Sequence, residues 1–193
     1  PNRHDATLAL TSDGQKLFIY LDDMRAGSGN IYQCEQKGAI WEKPEKMSDM
    51  INSDKHECSA TLSSDGSALY FVSDKDGGLG KHDIYRSMWD KKKKLWKLAE
   101  NLGPMINTPY EEYGVFIHPD GKTLYFSSRG HNTMGGFDIF KATWDKKTKK
   151  WSKPENLGYP INTPDDDIDY VVAASGKHAY YSSLRADGQG EQD

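Results

Sequence analysis

Four carboxylates stand at one repeated place in the chain, Asp5, Glu57, Glu112 and Asp167, and each follows a second residue able to bind a proton or a cation: His4, His56, Glu111 and Asp166. Two chemistries fit such pairs. Carboxylates facing one another across a cleft can serve as acid and base in glycoside hydrolysis, provided their environments hold their pKa values apart. Oxygen-rich pairs gathered around one axis can instead hold a divalent cation, and calcium asks for about six to eight well-placed oxygens. The densest run of such groups is PDDDID, whose Asp165, Asp166, Asp167 and Asp169 are the metal-ligating candidates. It lacks the glycine spacing of an EF-hand loop, and so does SDKDGG, which begins at Ser73.

Other reactive arrangements are missing from the sequence. His82, His118, His131 and His178 have no nucleophile or acid at a telling distance, and the glycine-rich stretches precede no helix that could cradle a phosphate. Cys34 and Cys58 lack the CxxC spacing of zinc or redox sites, so they are either packed thiols or a pair. A catalytic group is normally used once, whereas a residue repeated in every unit is explained by the fold. The repeated acids are therefore expected to accept backbone N–H bonds at the start of a strand, and Asp83 and Asp138 to fix glycine-rich loops as Asx-turn residues. On that reasoning the chain is expected not to be an enzyme, and to need no cofactor unless the acids gather a divalent cation.

The repeat positions these groups. The turn residues Asp13, Asp65, Asp120 and Ser175 are spaced by 52, 55 and 55 residues, and Trp41, Trp96 and Trp151 keep the same phase. A third-strand opening recurs at Asn30, Asp83, Asp138 and Asp193. Within a unit the apolar residues fall in four short bursts, YGVFIH, TLYFSS, DIFKATW and KWSKPENL in the third, bounded by Gly, Pro, Asn and Asp. These are strand signals with no room for a helix. The first two bursts are joined by an Asp-Gly turn, the next two by a glycine-rich loop, and the last two by a lysine-rich turn. The units run over 1–53, 54–108, 109–163 and 164–193. A sheet of four strands cannot bury both faces alone, so the fold class is all-β, a β-propeller of four-stranded antiparallel blades. It is incomplete, three full repeats plus half of a fourth, and the segment is expected to belong to a longer chain.

The 193 residues, 36% hydrophobic and 28% charged, suit a folded domain, and a formal net charge of −4 gives no field favouring nucleic acid. No apolar run approaches the roughly 18 residues that span a bilayer, so no membrane insertion by this segment is expected.

The words DGKTLYFSSR, GGFDIF, DGSALYFVSD and GKHDIY, with the spacer W-x-x-P-x-N-L-G-x-x-I-N-T-P, resemble the WD-like propeller repeats of the TolB type along essentially the whole chain. The spacer resembles an envelope variant in which the propeller accompanies tetratricopeptide repeats and an OmpA-like peptidoglycan-binding domain, in some cases within type IX secretion and gliding machinery. The resemblance implies a periplasmic, outer-membrane-associated scaffold with envelope proteins as partners and peptidoglycan reached through a domain outside this segment. Departures are the short first unit, Asn30 in place of Asp, and Ser175 in the fourth turn.

Strand alternation puts the glycine loops and the INTP acids on one face and the Asp-Gly and lysine turns (Lys91 to Lys94; Lys146, Lys147, Lys149, Lys150) on the other. The expected function is a protein-binding scaffold using the glycine face, through Lys75, Asp76, Arg129, His131, Asn132, Met134 and Arg185. The alternatives are a carbohydrate- or peptidoglycan-binding propeller and a glycosidase-like one with carboxylates at the channel mouth.

Overall fold

The computed structural model describes residues 5–25 and 28–184, with the backbone alone for 23–25. His4, Arg185, Asp193 and the flanking termini lie outside these residues. Among them there is no helix. The first sheet contains β1 (Asp5–Leu10), β2 (Lys16–Arg25), β3 (Ser28–Lys37), β4 (Ile40–Trp41) and β5 (Glu45–Lys46). The second is β6 (Glu57–Leu62), β7 (Ala68–Ser73), β8 (Asp83–Asp90), β9 (Leu95–Trp96) and β10 (Glu100–Asn101). The third repeats it as β11 (Glu112–Ile117), β12 (Thr123–Ser128), β13 (Asp138–Asp145), β14 (Lys150–Trp151) and β15 (Glu155–Asn156), and a fourth begins with β16 (Asp167–Val172) and β17 (Ala179–Ser183). All pairings within the sheets are antiparallel.

The fourth strand is not continuous. In each full sheet it is two two-residue pieces, both paired with the third strand. Pro44 and Pro154 occupy the gap in the first and third sheets, where a residue without an N–H cannot carry the ladder. The Asp-Gly turns also differ in detail from a two-residue hairpin. Only the glycine takes the left-handed conformation, Gly14, Gly66, Gly121 and Gly176 having φ of 67 to 69°. Each glycine N–H donates to the carbonyl three residues back, as Gly121 does to His118, and Asp120 Oδ1 accepts the Lys122 N–H.

A strand covered on both faces is buried along its length, as β7 is, and its residues join two cores with the strand period of two. On β7, Leu69 and Phe71 join Phe18, Ile31 and Ile51 of the first unit, while Tyr70 and Val72 join Val115, Leu124 and Phe126 of the third sheet. Ile139 packs with Tyr170 and Val172 of β16, and Tyr125 joins them. Each core is thus shared by two successive sheets, the solution a propeller gives to sheets too small to bury their own faces. The first strands β1, β6, β11 and β16 neighbour one another in turn, which makes them the inner wall.

Candidate interaction face and channel

The repeated carboxylates begin these inner strands. Glu112 is fully buried; its carboxylate accepts the Thr108 N–H (3.0 Å), the Thr108 hydroxyl (2.7 Å) and the Ser128 hydroxyl (2.8 Å). Glu57 does the same with Ser53 and Ser73, and Asp167 with Thr163 and Ser183. Each acid therefore pins the incoming INS or INT turn to the second strand of its own sheet. Burial is the largest influence on Glu112 and pushes its carboxyl pKa up to about 7, against the pull of its three donors.

Sequence reasoning missed the asparagine that works beside it. Asn107 donates to the Ile84 carbonyl (3.0 Å) and accepts the Ile84 N–H (2.8 Å), so its amide continues the sheet as a strand backbone would. Asn52 grips Ile31 and Asn162 grips Ile139 in the same way. The recurrence of Ile-Asn in MINSD, INTPY and INTPD was the available signal.

Asp83 accepts the N–H groups of Leu79 and Gly80 and the Asn101 amide, and Asp138 accepts those of Met134 and Asn156. These bonds curl each glycine-rich loop over the start of the next inner strand. Gly135 lies so close to the Pro164 carbonyl that a Cβ there would overlap it. With its backbone held down, each loop turns an apolar side chain outward at the same repeat position: Leu79 is 41% exposed and Met134 49% exposed. Tyr110, in the turn between them, is 61% exposed.

The residues singled out on this face have unequal freedom. Arg129 pairs with Asp166 (3.0 Å) and Glu111 (3.6 Å) and lies over the Phe137 ring (4.4 Å), tying the third sheet to the fourth. His131 bonds the Ile106 carbonyl (2.8 Å) and packs against Phe126 and Phe140. The Lys75 ammonium sits 3.9 Å from the Tyr85 ring centre, where burial pushes its pKa down. The Asn132 carbonyl accepts the Asn156 amide. Met134 and Asp76 are exposed, Asp76 with an ion pair to Lys55 (3.3 Å).

The metal-ligating candidates do not converge. Asp166 serves Arg129 and the Phe137 N–H, Asp167 serves Thr163 and Ser183, and Asp165 is exposed. Asp169 stands apart on the channel wall with a left-handed backbone, φ 57°. It is exposed, yet the surrounding walls displace enough water to raise its carboxyl pKa. Among the described residues no group of three or more His, Cys, Asp or Glu side chains could hold a metal ion.

The inner strands enclose a cavity of about 980 Å³ whose lining includes Tyr20, His56, Cys58, Tyr113 and Asp169. Register shifts on all four strands bend the wall, with Ser59 and Gly114 also at positive φ. The Tyr20 hydroxyl lies 3.1 Å from His56 Nε2, and burial, then the neighbouring His82, lowers the His56 pKa. Cys34 and Cys58 are free, buried thiols. Burial pushes the Cys58 pKa up to about 12, which leaves it a protonated packing group rather than a nucleophile.

No protein-family model matches the chain, and no curated relative matches it. Solved structures do. A protein assigned as TolB from Agrobacterium tumefaciens aligns over 94% of this chain and 55% of its own, at 20% identity and a TM-score of 0.62. A prolyl endopeptidase (18% identity, TM-score 0.55) and a puromycin hydrolase (12%, 0.56) align over 94% and 93% of this chain, and 23% and 25% of their own. The chain thus has a TolB-like β-propeller fold and spans about half of that TolB chain. The two hydrolases correct the expectation that the chain is not an enzyme. Repetition of carboxylates in equivalent places was the ground for that expectation, and the fold that carries the repeat here is also found in these enzymes. At such identities the likeness shows the fold alone and brings no activity to this chain.

Proposed function

We infer that the chain is a propeller scaffold of the bacterial envelope that holds a protein partner on its glycine-loop face. The observation that carries this is the equivalent outward placement of Leu79 and Met134, with Tyr110 between them. Exposed apolar side chains on rigid, backbone-pinned loops are suited to the centre of an interface. The TolB-like fold and the envelope-type spacer support a periplasmic, outer-membrane-associated setting, with an OmpA-like or type IX secretion assembly as its context and any contact to peptidoglycan made by a companion domain.

The test is site-specific photo-crosslinking in cells, with the reactive group at Met134 or Tyr110 on one face and at Ser64 or Lys92 on the other. A discrete protein adduct from the first pair, at about tenfold the yield of the second, is expected. Equal yields from both faces would refute the assignment of the face, and adducts in the cytoplasmic fraction alone would refute the setting.

A further inference from the structure

The outer rim between the second and third sheets holds a separate groove of about 380 Å³, lined in part by Arg86, Leu102, Met105, Trp144 and Lys150. Arg86 projects from β8 opposite Glu100. Its guanidinium lies 5.3 Å from the Trp144 ring centre. Its side chain is 21% exposed; the Tyr70 hydroxyl interacts with it and Glu100 Oε2 pairs with Nη2 at 3.8 Å, longer than a hydrogen bond, while Nε is buried without a hydrogen-bond partner. A guanidinium that lines the groove with no carboxylate at hydrogen-bonding distance favours an anion brought to its open side.

The fold does not require this arginine. The register-equivalent residues, opposite Glu45 and Glu155, are Gln33 and Lys141. The tryptophan pair beside the groove does recur, Trp89 with Trp96 and Trp144 with Trp151, each at 5.2 Å between ring centres. So the tryptophans belong to the repeat and Arg86 does not. The adjoining turn carries Lys146, Lys147, Lys149 and Lys150, none of them in an ion pair among the described residues. Leu102, Pro104 and Met105 give the groove an apolar wall, and Met105 is 47% exposed.

We propose that this groove docks an acidic segment of a partner protein, one aromatic or long aliphatic side chain entering against Trp144 and Met105 while flanking carboxylates meet Arg86 and the lysine turn. The volume lies at the low end of the roughly 300–1,000 Å³ typical of ligand pockets, and suits one bulky side chain. An acidic peptide is favoured over an anionic glycan because Arg86 already covers a face of Trp144, the flat platform on which a sugar ring would stack. The proposal does not rest on the glycine-face reading, since the two surfaces share no residue.

Fluorescence anisotropy of the labelled peptide Asp-Asp-Glu-Phe-Glu-Asp-Asp, titrated with this chain at low ionic strength, tests it. Saturable binding that weakens with added salt is expected. Arg86→Gln should weaken it about tenfold, and Lys149→Gln with Lys150→Gln, on an exposed turn, about threefold. The amide version of the peptide and a Phe→Gly version should each lose about tenfold, while Leu79→Ser with Met134→Ser leaves binding unchanged. Equal binding by the amide peptide would overturn the proposal. So would an unchanged affinity in a folded Arg86→Gln protein, or displacement of the peptide by a sulfated oligosaccharide at lower concentration than by unlabelled peptide.

Discussion

Glu111 and Glu112 are adjacent acids, and the structure assigns them opposite weights. Glu112 has no exposed surface and three donors aimed at it from Thr108 and Ser128. Truncation to Ala leaves those donors facing a dry void. Each buried orphan is worth about 1–3 kcal/mol and the two hydroxyls can partly redirect, so a loss of about 3–5 kcal/mol is expected. Glu112→Gln is milder. Its amide oxygen can face the Thr108 N–H, but its NH₂ then meets two hydroxyls that already accept from Tyr110 and Gly130, for a loss of about 1–3 kcal/mol. Glu111→Gln removes only rim ion pairs to Lys81 and Arg129, worth less than about 1 kcal/mol. Urea unfolding at pH 5 and pH 8 separates these cases. Because the Glu112 pKa is raised from 4.5 to about 7, the folded chain holds this proton more tightly than the unfolded one. Its contribution is therefore complete below pH 4.5 and is lost as pH rises toward 7. The wild type should lose stability across that window, and Glu112→Gln should flatten this part of the slope. Equal unfolding midpoints for the Glu112→Ala and Glu111→Gln proteins would refute the pinning role.

Asn107→Ala should destabilise by about 2–4 kcal/mol, because the Ile84 N–H is left without an acceptor in a closed core and the Ile84 C=O keeps only the Leu102 N–H; hydrogen exchange at the Ile84 amide should accelerate with it, and unaltered exchange would contradict the strand-like role. Cys58 should react with a disulfide reagent at pH 8 only as fast as the chain opens, rising steeply with denaturant, since burial holds its pKa at about 12. Rapid labelling of the native chain would show the thiol accessible and the channel wall wrongly drawn.

The fold was legible because its signals are local and repeated. Four bursts of β-branched and aromatic residues per unit, parted by Asp-Gly, glycine-rich and lysine-rich punctuation, leave few topologies that bury both faces of β7 and β12. What remained hidden lies at longer range. The recurring Ile-Asn marks Asn107 as part of the repeat but does not say that it will reach Ile84, because the bond spans 23 positions and uses an amide as surrogate backbone. The site was less legible still. Arg129 and His131 sit in a loop whose composition suggests exposure, yet tertiary partners engage both. Leu79 and Tyr110 escaped notice because an apolar residue in a strand-rich chain reads as core until the loop geometry is known.

A break in a repeat is therefore not by itself a mark of function. Lys75 in the second sheet and His131 in the third both depart from any shared identity, and each caps an aromatic pair, Phe71 with Tyr85 and Phe126 with Phe140. Different residues have solved one packing problem. The useful criterion is whether the odd residue is satisfied where it sits. His131 bonds a backbone carbonyl and Lys75 gains the face of a tyrosine, so the folded chain accounts for both. Arg86 too has an aromatic face, at Trp144, with the Tyr70 hydroxyl and a long Glu100 ion pair, but it keeps a buried Nε without an acceptor and lies in a groove its own lysines make electropositive. A charged group left incomplete at a place where the fold accepts glutamine directs the search for a partner to that rim.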